Sequence, residues 1–137
     1  MPQENMEVVR RSYEHVERTR EFPRELLHPD FVWDTTTFRG GMRPQTCVGL
    51  DEANQWLAEW LEGFDNWSLD VEEVFDAGDQ VVAIVLQRAN AKHGGLEVEM
   101  RFGQVWTFRN GLVARIDMYA DRDDALEAAG LSTQETD

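Results

Sequence analysis

The final third of the chain, Glu97–Leu131, constrains the fold most, because it contains two long strands joined by a tight turn. Apolar and polar residues alternate from Glu97 to Phe108 at the two-residue period of a strand. Asn110 and Gly111 tolerate positive φ and predict the hairpin turn that follows. Leu112–Ala120 is then the second strand, so the chain folds back on itself at this turn.

A short helix is predicted to close this segment. Asp121 is a suitable N-cap, Asp124 lies in the first turn, and Gly130 is placed to end a helix over Ala125–Ala129. Beyond it, residues 131–137 are expected to form a loose tail. A length of 137 residues with 42% apolar residues predicts one domain with a real core.

Helices are predicted in the first half of the chain. The first helix has an apolar face made of Met6, Val9, Tyr13 and Val16. A short second helix spans Pro23–Leu27, since Pro29 disfavours the α conformation before it. The third begins near Asp51 and carries aromatic residues at three- and four-residue spacing.

Strands and loops account for the remaining residues. The glycine-rich stretch Phe38–Gly49 predicts an irregular loop. The other predicted strands are Phe31–Thr36, Trp67–Phe75 and Gln80–Ala91. A sheet therefore follows the helices in the chain, with one strand placed among them.

The charge and cysteine content exclude several classes of function. Thirteen basic and twenty-seven acidic side chains give a net charge of −14, which repels nucleic acid and anionic membrane surfaces. No apolar run reaches the length of a membrane span, and the single Cys47 cannot form an internal disulfide. We therefore expect a cytoplasmic protein that binds neither nucleic acid nor membrane.

Metal and cofactor sites are not predicted. The three histidines, His15, His28 and His93, lack metal-ligand spacing and acidic partners. There is no phosphate-binding glycine loop, because Gly94 and Gly95 belong to a turn. We expect neither a metal nor a cofactor.

Several motifs together resemble the SnoaL-like branch of the nuclear-transport-factor-2-like superfamily. They are residues 6–13, 26–31, 75–82, 108–113 and 119–131, and they span nearly the whole chain. The resemblance implies an α+β fold in which a strongly curved, mostly antiparallel sheet wraps around three N-terminal helices as a cone, with a short C-terminal helix. It also implies a homodimer formed through the outer sheet face. The superfamily contains enzymes, binding proteins and transport adaptors, so the fold does not select the function.

Asp117 is the main candidate for catalysis. The strand period places Val113, Arg115, Asp117 and Tyr119 on one face of their strand. The resemblance supports Asp117, since SnoaL-type cyclases and limonene-epoxide-hydrolase-like enzymes carry a catalytic aspartate there. The alternative is a structural carboxylate paired with an arginine such as Arg101 or Arg88.

Tyr13 and Gln104 are further candidates that the resemblance suggests. Tyr13 lies where ketosteroid-isomerase-like members carry an oxyanion-binding tyrosine, and Gln104 lies where they carry a protonated aspartate. Thr35 replaces their general base, so steroid isomerisation by that route is not expected. Epoxide hydrolysis ranks below proton-transfer chemistry, because the epoxide-hydrolase pattern implies a second carboxylic acid where Asn90 stands.

Six aromatic side chains are predicted to border a ligand cavity, although packing of the core alone explains most of them. They are Trp33, Trp56, Trp60, Phe64, Phe102 and Trp106. Three functions remain open. The first is a cyclase or isomerase in which Asp117 moves a proton on an apolar carbonyl compound while Tyr13, Gln104 or Tyr119 steadies the enolate. The others are a binding protein for a small apolar or aromatic molecule, and a dimeric interaction module.

Overall fold

Three α-helices, one 3₁₀ turn and a six-stranded sheet make up the structure, a computed structural model that describes residues 2–36 and 44–131. The helices are α1 (Pro2–Thr19), the 3₁₀ turn (Arg24–Leu26), α2 (Leu50–Leu61) and α3 (Arg122–Ala128). The strands are β1 (Leu27–Asp34), β2 (Thr46–Val48), β3 (Phe64–Asp76), β4 (Gln80–Ala91), β5 (Glu97–Arg109) and β6 (Leu112–Tyr119).

The strands lie in the order β2-β1-β6-β5-β4-β3. Every neighbouring pair is antiparallel except β1 and β6, which run parallel. The last four strands form a meander, so each lies beside its neighbour in the chain. The predicted α+β cone with a curved, mostly antiparallel sheet is confirmed.

The C-terminal hairpin and helix form as the sequence predicts. Asn110 and Gly111 occupy the left-handed region, with φ of 54° and 80°, which is the requirement of a two-residue hairpin turn. The Asp121 carboxylate accepts a hydrogen bond of 3.0 Å from the Asp123 amide and caps α3. Gly130 follows the helix with φ of 79°, as a helix-ending glycine does.

The second predicted helix and the first predicted strand differ from the prediction. The second helix is a single 3₁₀ turn, and β1 begins at Leu27, before Pro29, rather than at Phe31. The pairing of β1 with β6 shifts in register between Leu27 and Val32. Pro29 lies within that irregular stretch, where its missing N–H interrupts no regular ladder.

The predicted loop Phe38–Gly49 contains a short strand. Residues 46–48 form β2, which pairs with β1 through Trp33 and Cys47. Three residues are too few for a strand period to be visible in the sequence. Residues 38–43 of that loop and the predicted tail beyond Leu131 lie outside the described residues.

Both faces of the sheet carry apolar residues. The inner face packs on α1 and α2, and the outer face packs on α3 through the cluster Val82, Ile84, Val105, Ala125 and Leu126. Gly103 permits the approach of α3, because a Cβ at this position would lie 2.7 Å from Cβ of Ala125. Every residue of β4 from Val81 to Gln87 is therefore buried, with no alternation.

Candidate functional site

A cavity of about 50 Å³ lies between the two N-terminal α-helices and the inner face of the sheet. Its lining consists of Tyr13, Val16, Phe22, Trp33, Trp56, Leu57, Trp60, Trp67, Leu69, Gln87, Phe102, Gln104, Trp106 and Met118. None of these side chains is charged, and all are buried except Trp60 and Leu69, which are half-buried. The cavity is therefore an aromatic interior space with a phenol and two amides in its wall.

A chain of hydrogen bonds crosses one side of the cavity. The Trp106 indole Nε1–H donates to the Tyr13 hydroxyl oxygen at 3.0 Å, and the Tyr13 hydroxyl donates to Oε1 of Gln104. Burial raises the pKa of the Tyr13 hydroxyl far above its ordinary value, and the bond from Trp106 offsets little of that rise. Tyr13 is therefore a neutral group whose hydrogen is committed to Gln104.

Gln87 is held in the same way on another side of the cavity. The indole Nε1–H groups of Trp60, at 2.9 Å, and of Trp67 both donate to Gln87 Oε1. An indole nitrogen donates and never accepts, so these two bonds fix which way the amide faces. The Nε2 of Gln87 lies 3.6 Å from the Met100 sulfur.

Trp33 differs from these neighbours in its hydrogen bonding. Its side chain is 3% exposed, and its indole Nε1–H is buried without a hydrogen-bond partner in the described part of the chain. Its ring meets those of Trp56 and Phe22 edge to face, with centroids 4.8 and 5.1 Å apart. Trp33 thus contributes a fully buried, unpaired donor to the described part of the cavity wall.

Asp117 lies on the outer face of β6. Its strand partner is Val105, which packs under α3, whereas the next residue, Met118, pairs with Gln104 and lines the cavity. Arg115 Nε donates to both Asp117 carboxylate oxygens at 3.0 Å, and the same guanidinium donates to Asp34 at 2.8 Å. Asp117 is therefore part of an ion-paired group and not of the cavity wall.

The pKa of the Asp117 carboxyl is nevertheless raised above its usual value. Burial is the largest cause and outweighs the lowering by the Arg115 charge, while Asp34 adds a further rise. Tyr119 lies on the same outer face beside the cluster under α3. Burial and the charges of Asp117 and Asp34 raise the pKa of the Tyr119 hydroxyl.

The structure brings together most of the residues selected from the sequence. Tyr13 and Gln104 line the cavity with the aromatic residues Trp33, Trp56, Trp60, Phe102 and Trp106. Phe64 does not line it and instead packs on Trp60 with ring centroids 5.1 Å apart. Asp117 and Tyr119 are absent from its lining.

Half of the lining residues were not selected from the sequence, and two of these, Trp67 and Gln87, carry polar groups. Gln87 had a visible signal, since it follows the apolar run Val81–Leu86. A polar residue that continues such a strand is usually buried with a hydrogen-bond partner. Trp67 had no such signal, because its position at the start of a strand was equally consistent with solvent exposure.

The described residues were compared with the requirements of a metal site and of a membrane-spanning helix. Within residues 2–36 and 44–131, no three His, Cys, Asp or Glu side chains are arranged to hold a metal ion. Among the helices of those same ranges, none combines the length and apolar character needed to span a bilayer.

Sequence comparison identifies the family of this chain. The family profile described as the SnoaL-like domain matches residues 9–116, which is most of the sequence. The chain belongs to the SnoaL-like family. The resemblance seen in the sequence motifs is thus confirmed. No curated protein matches the chain in sequence.

Solved structures agree with the SnoaL-like assignment. A nuclear-transport-factor-2-like protein of unknown function from Burkholderia pseudomallei is 25% identical, with a TM-score of 0.70 over 90% of this chain and 95% of that one. A protein from Jannaschia, provisionally named a SnoaL-like polyketide cyclase, is 21% identical with a TM-score of 0.70, covering 93% and 92%. TerC, crystallised with polyporic acid, is 21% identical with a TM-score of 0.69, covering 93% and 98%. The last two share the fold with this SnoaL-like chain.

Proposed function

We propose that this SnoaL-like protein binds a small, uncharged, largely aromatic molecule in the cavity between its helices and the inner sheet face. The observation that carries the proposal is the wall itself, in which Tyr13 and Gln104 are fixed by hydrogen bonds among aromatic side chains. Ligand sites combine apolar walls with a few positioned polar groups in this way. The TerC complex with polyporic acid shows that another protein of this fold was crystallised with a small molecule.

The wall has donors to offer to such a ligand. Because Tyr13 donates to Gln104 Oε1, the Nε2–H groups of that amide are the donors it keeps for a ligand. No side chain of the lining carries a charge that would neutralise an ion. Burying an unpaired ion there would cost far more than its contacts return, so an uncharged ligand with an acceptor atom is favoured.

Binding requires the cavity to widen. A volume of about 50 Å³ is small, since a cavity of about 150 Å³ in an engineered protein holds benzene. Trp60 and Leu69 are the half-buried part of the lining, so the proposal places the widening at these two side chains. A surface cavity of about 210 Å³ between α1 and β3 shares Tyr13 and Leu69 with the inner cavity, which supports entry at this point.

The proposal does not depend on catalysis. Asp117 lies outside the lining and both of its oxygens accept hydrogen bonds from Arg115. Proton transfer by Asp117 therefore stays a prediction of the sequence, as do the homodimer and the cytoplasmic location.

Ligand-observed NMR with acetophenone, benzoate and benzylammonium tests the proposal. Acetophenone is expected to bind, while the two charged analogues of similar size are not. Leu57→Phe places extra carbon in the cavity and should weaken acetophenone binding. Leu126→Phe makes the same change in the cluster under α3 and should leave binding unchanged.

Two results would contradict the proposal. Benzoate or benzylammonium binding as tightly as acetophenone would show that the site is not selective for uncharged molecules. Equal acetophenone binding by Leu57→Phe and wild type, with both folded by circular dichroism, would place the ligand elsewhere.

A further inference from the structure

The indole Nε1–H of Trp33 is a buried donor that has no acceptor in the described part of the chain. Buried polar groups in folded proteins are nearly always paired, because an unpaired donor has lost its hydrogen bonds to water without replacement. An exception needs an explanation, and a missing ligand is one. Trp33 lines the cavity, so a ligand there can reach its side chain.

The other hydrogen-bonded indoles of the cavity wall show which kind of acceptor binds an indole N–H in this interior. Trp60 and Trp67 donate to the Gln87 amide oxygen, and Trp106 donates to the Tyr13 hydroxyl. Each of these N–H groups has a neutral oxygen as its acceptor. A neutral oxygen is therefore the matching partner for Trp33.

The surroundings of Trp33 limit what that partner can be. Its ring is packed edge to face against Phe22 and Trp56, and its strand neighbour Ile116 is fully buried. These neighbours offer apolar contact and carry no charge to pair with an ion. The chemistry that fits is an acceptor oxygen attached to an apolar or aromatic body.

We propose that Trp33 Nε1–H donates a hydrogen bond to the carbonyl oxygen of the ligand, an assignment that rests on the proposed binding function. The ligand class is thereby narrowed to neutral aromatic carbonyl compounds. Trp33 sets the orientation of the molecule, while the remaining aromatic wall supplies apolar contact that is tolerant of shape. Binding in this way involves no proton transfer between the protein and the ligand.

A pair of probes with the same shape tests this assignment. Acetophenone carries a carbonyl oxygen, and α-methylstyrene replaces that oxygen by a CH₂ group with no acceptor. In protein labelled with ¹⁵N-tryptophan, the Trp33 indole resonance is identified by its proximity to Ile116. We expect acetophenone to move this resonance downfield and α-methylstyrene not to do so.

Dissociation constants for the two probes in variants complete the test. Trp33→Phe keeps an aromatic ring and removes the donor, so the preference for acetophenone over α-methylstyrene should fall about tenfold. Trp60→Phe makes the same indole-to-phenyl change at a donor already bonded to Gln87. It should change the affinity of both probes by similar factors and leave the preference intact.

The outcomes separate the two proposals. Binding of both probes with an unshifted Trp33 resonance, or with the same preference in Trp33→Phe, overturns the assignment while the binding function stands. The Trp33 N–H would then be satisfied by the faces of its aromatic neighbours. Failure of both probes to bind the wild-type protein overturns the binding function itself. The resonance shift is measured on wild type, so the assignment is testable even if Trp33→Phe fails to fold.

Discussion

The Tyr13 hydroxyl donates its hydrogen bond to Oε1 of Gln104 and so ties α1 to β5 across the cavity. The Tyr13 hydroxyl oxygen in turn accepts a hydrogen bond from Trp106 Nε1–H, so the three buried side chains form one chain that runs from Trp106 through Tyr13 to Gln104. A hydroxyl is suited to this middle position because it both donates and accepts. The phenol that the sequence suggested for oxyanion binding therefore has its hydrogen engaged within the wall.

Removal of the Tyr13 hydroxyl should destabilise the protein. Tyr13→Phe leaves the Trp106 N–H and the Gln104 oxygen without partners, which costs about 1–3 kcal/mol. Urea unfolding followed by circular dichroism measures the loss. Tyr119→Phe is the matched control, since Tyr119 is half-buried on the outer face, and it should change the unfolding free energy by less than about 0.5 kcal/mol. Equal losses for the two variants would show that the buried chain contributes nothing specific.

Substitution of Gln87 is expected to lower the free energy of unfolding more than substitution of a partly exposed glutamine. Gln87→Met preserves bulk but removes the acceptor of two indole donors, so roughly 2–4 kcal/mol should be lost from the unfolding free energy. Gln80→Met, at the start of β4, removes a single hydrogen bond of 3.0 Å to Thr107 and should cost under about 1 kcal/mol. Guanidinium unfolding of both variants provides the comparison, and a smaller loss for Gln87→Met would contradict it.

Asp117 should make stability depend on pH in the acidic range. Its folded pKa is raised above the unfolded value, so the native state holds the proton more tightly than the unfolded chain does. The stability this gives is present below the unfolded pKa and is lost as pH rises through the folded pKa. Asp117→Asn cannot titrate, so its stability relative to wild type should increase as pH rises through that window.

The measurement for Asp117 is urea unfolding of both proteins at several pH values between 3 and 7. Asp70→Asn serves as the control, because Asp70 is exposed on β3. A difference between Asp117→Asn and wild type that does not vary with pH would contradict the raised pKa.

Close packing of α3 on the sheet should depend on Gly103. A Cβ there would lie 2.7 Å from Cβ of Ala125, so Gly103→Ala must displace the helix at a cost of about 1–3 kcal/mol. Adding Ala125→Gly restores the space but lowers helix propensity by about 1 kcal/mol. Thermal or urea unfolding of the two single variants and the double variant should show favourable coupling. Strictly additive losses would show that the two residues do not touch.

The hairpin and α3 were predictable because their signals are local. Asn110 and Gly111 specify a turn by their own backbone preferences, and Asp121 caps a helix through an amide only two residues away. The aromatic spacing that begins near Asp51 likewise predicted α2, whose buried face carries Trp56. Structural features that depend only on residues close in sequence can therefore be predicted from the sequence.

The position of Asp117 could not be predicted because both faces of this sheet are covered. The two-residue period correctly placed Arg115 and Asp117 on one face, as their hydrogen bonds show. The period does not say which face meets the N-terminal helices and which meets α3. Only the packing of the helices decided that Met118 lines the cavity while Asp117 lies outside it.

By itself, the sequence determined the family, the order of the elements apart from β2 and the 3₁₀ turn, and most of the aromatic side chains that meet inside. The tertiary structure alone decided which polar groups are paired there. Gln87 meets Trp60 and Trp67, Tyr13 meets Trp106, and Trp33 keeps an unpaired donor. The physical reason is that such pairs join residues distant in sequence, whose approach is fixed by the curvature of the sheet and the packing of helices on it.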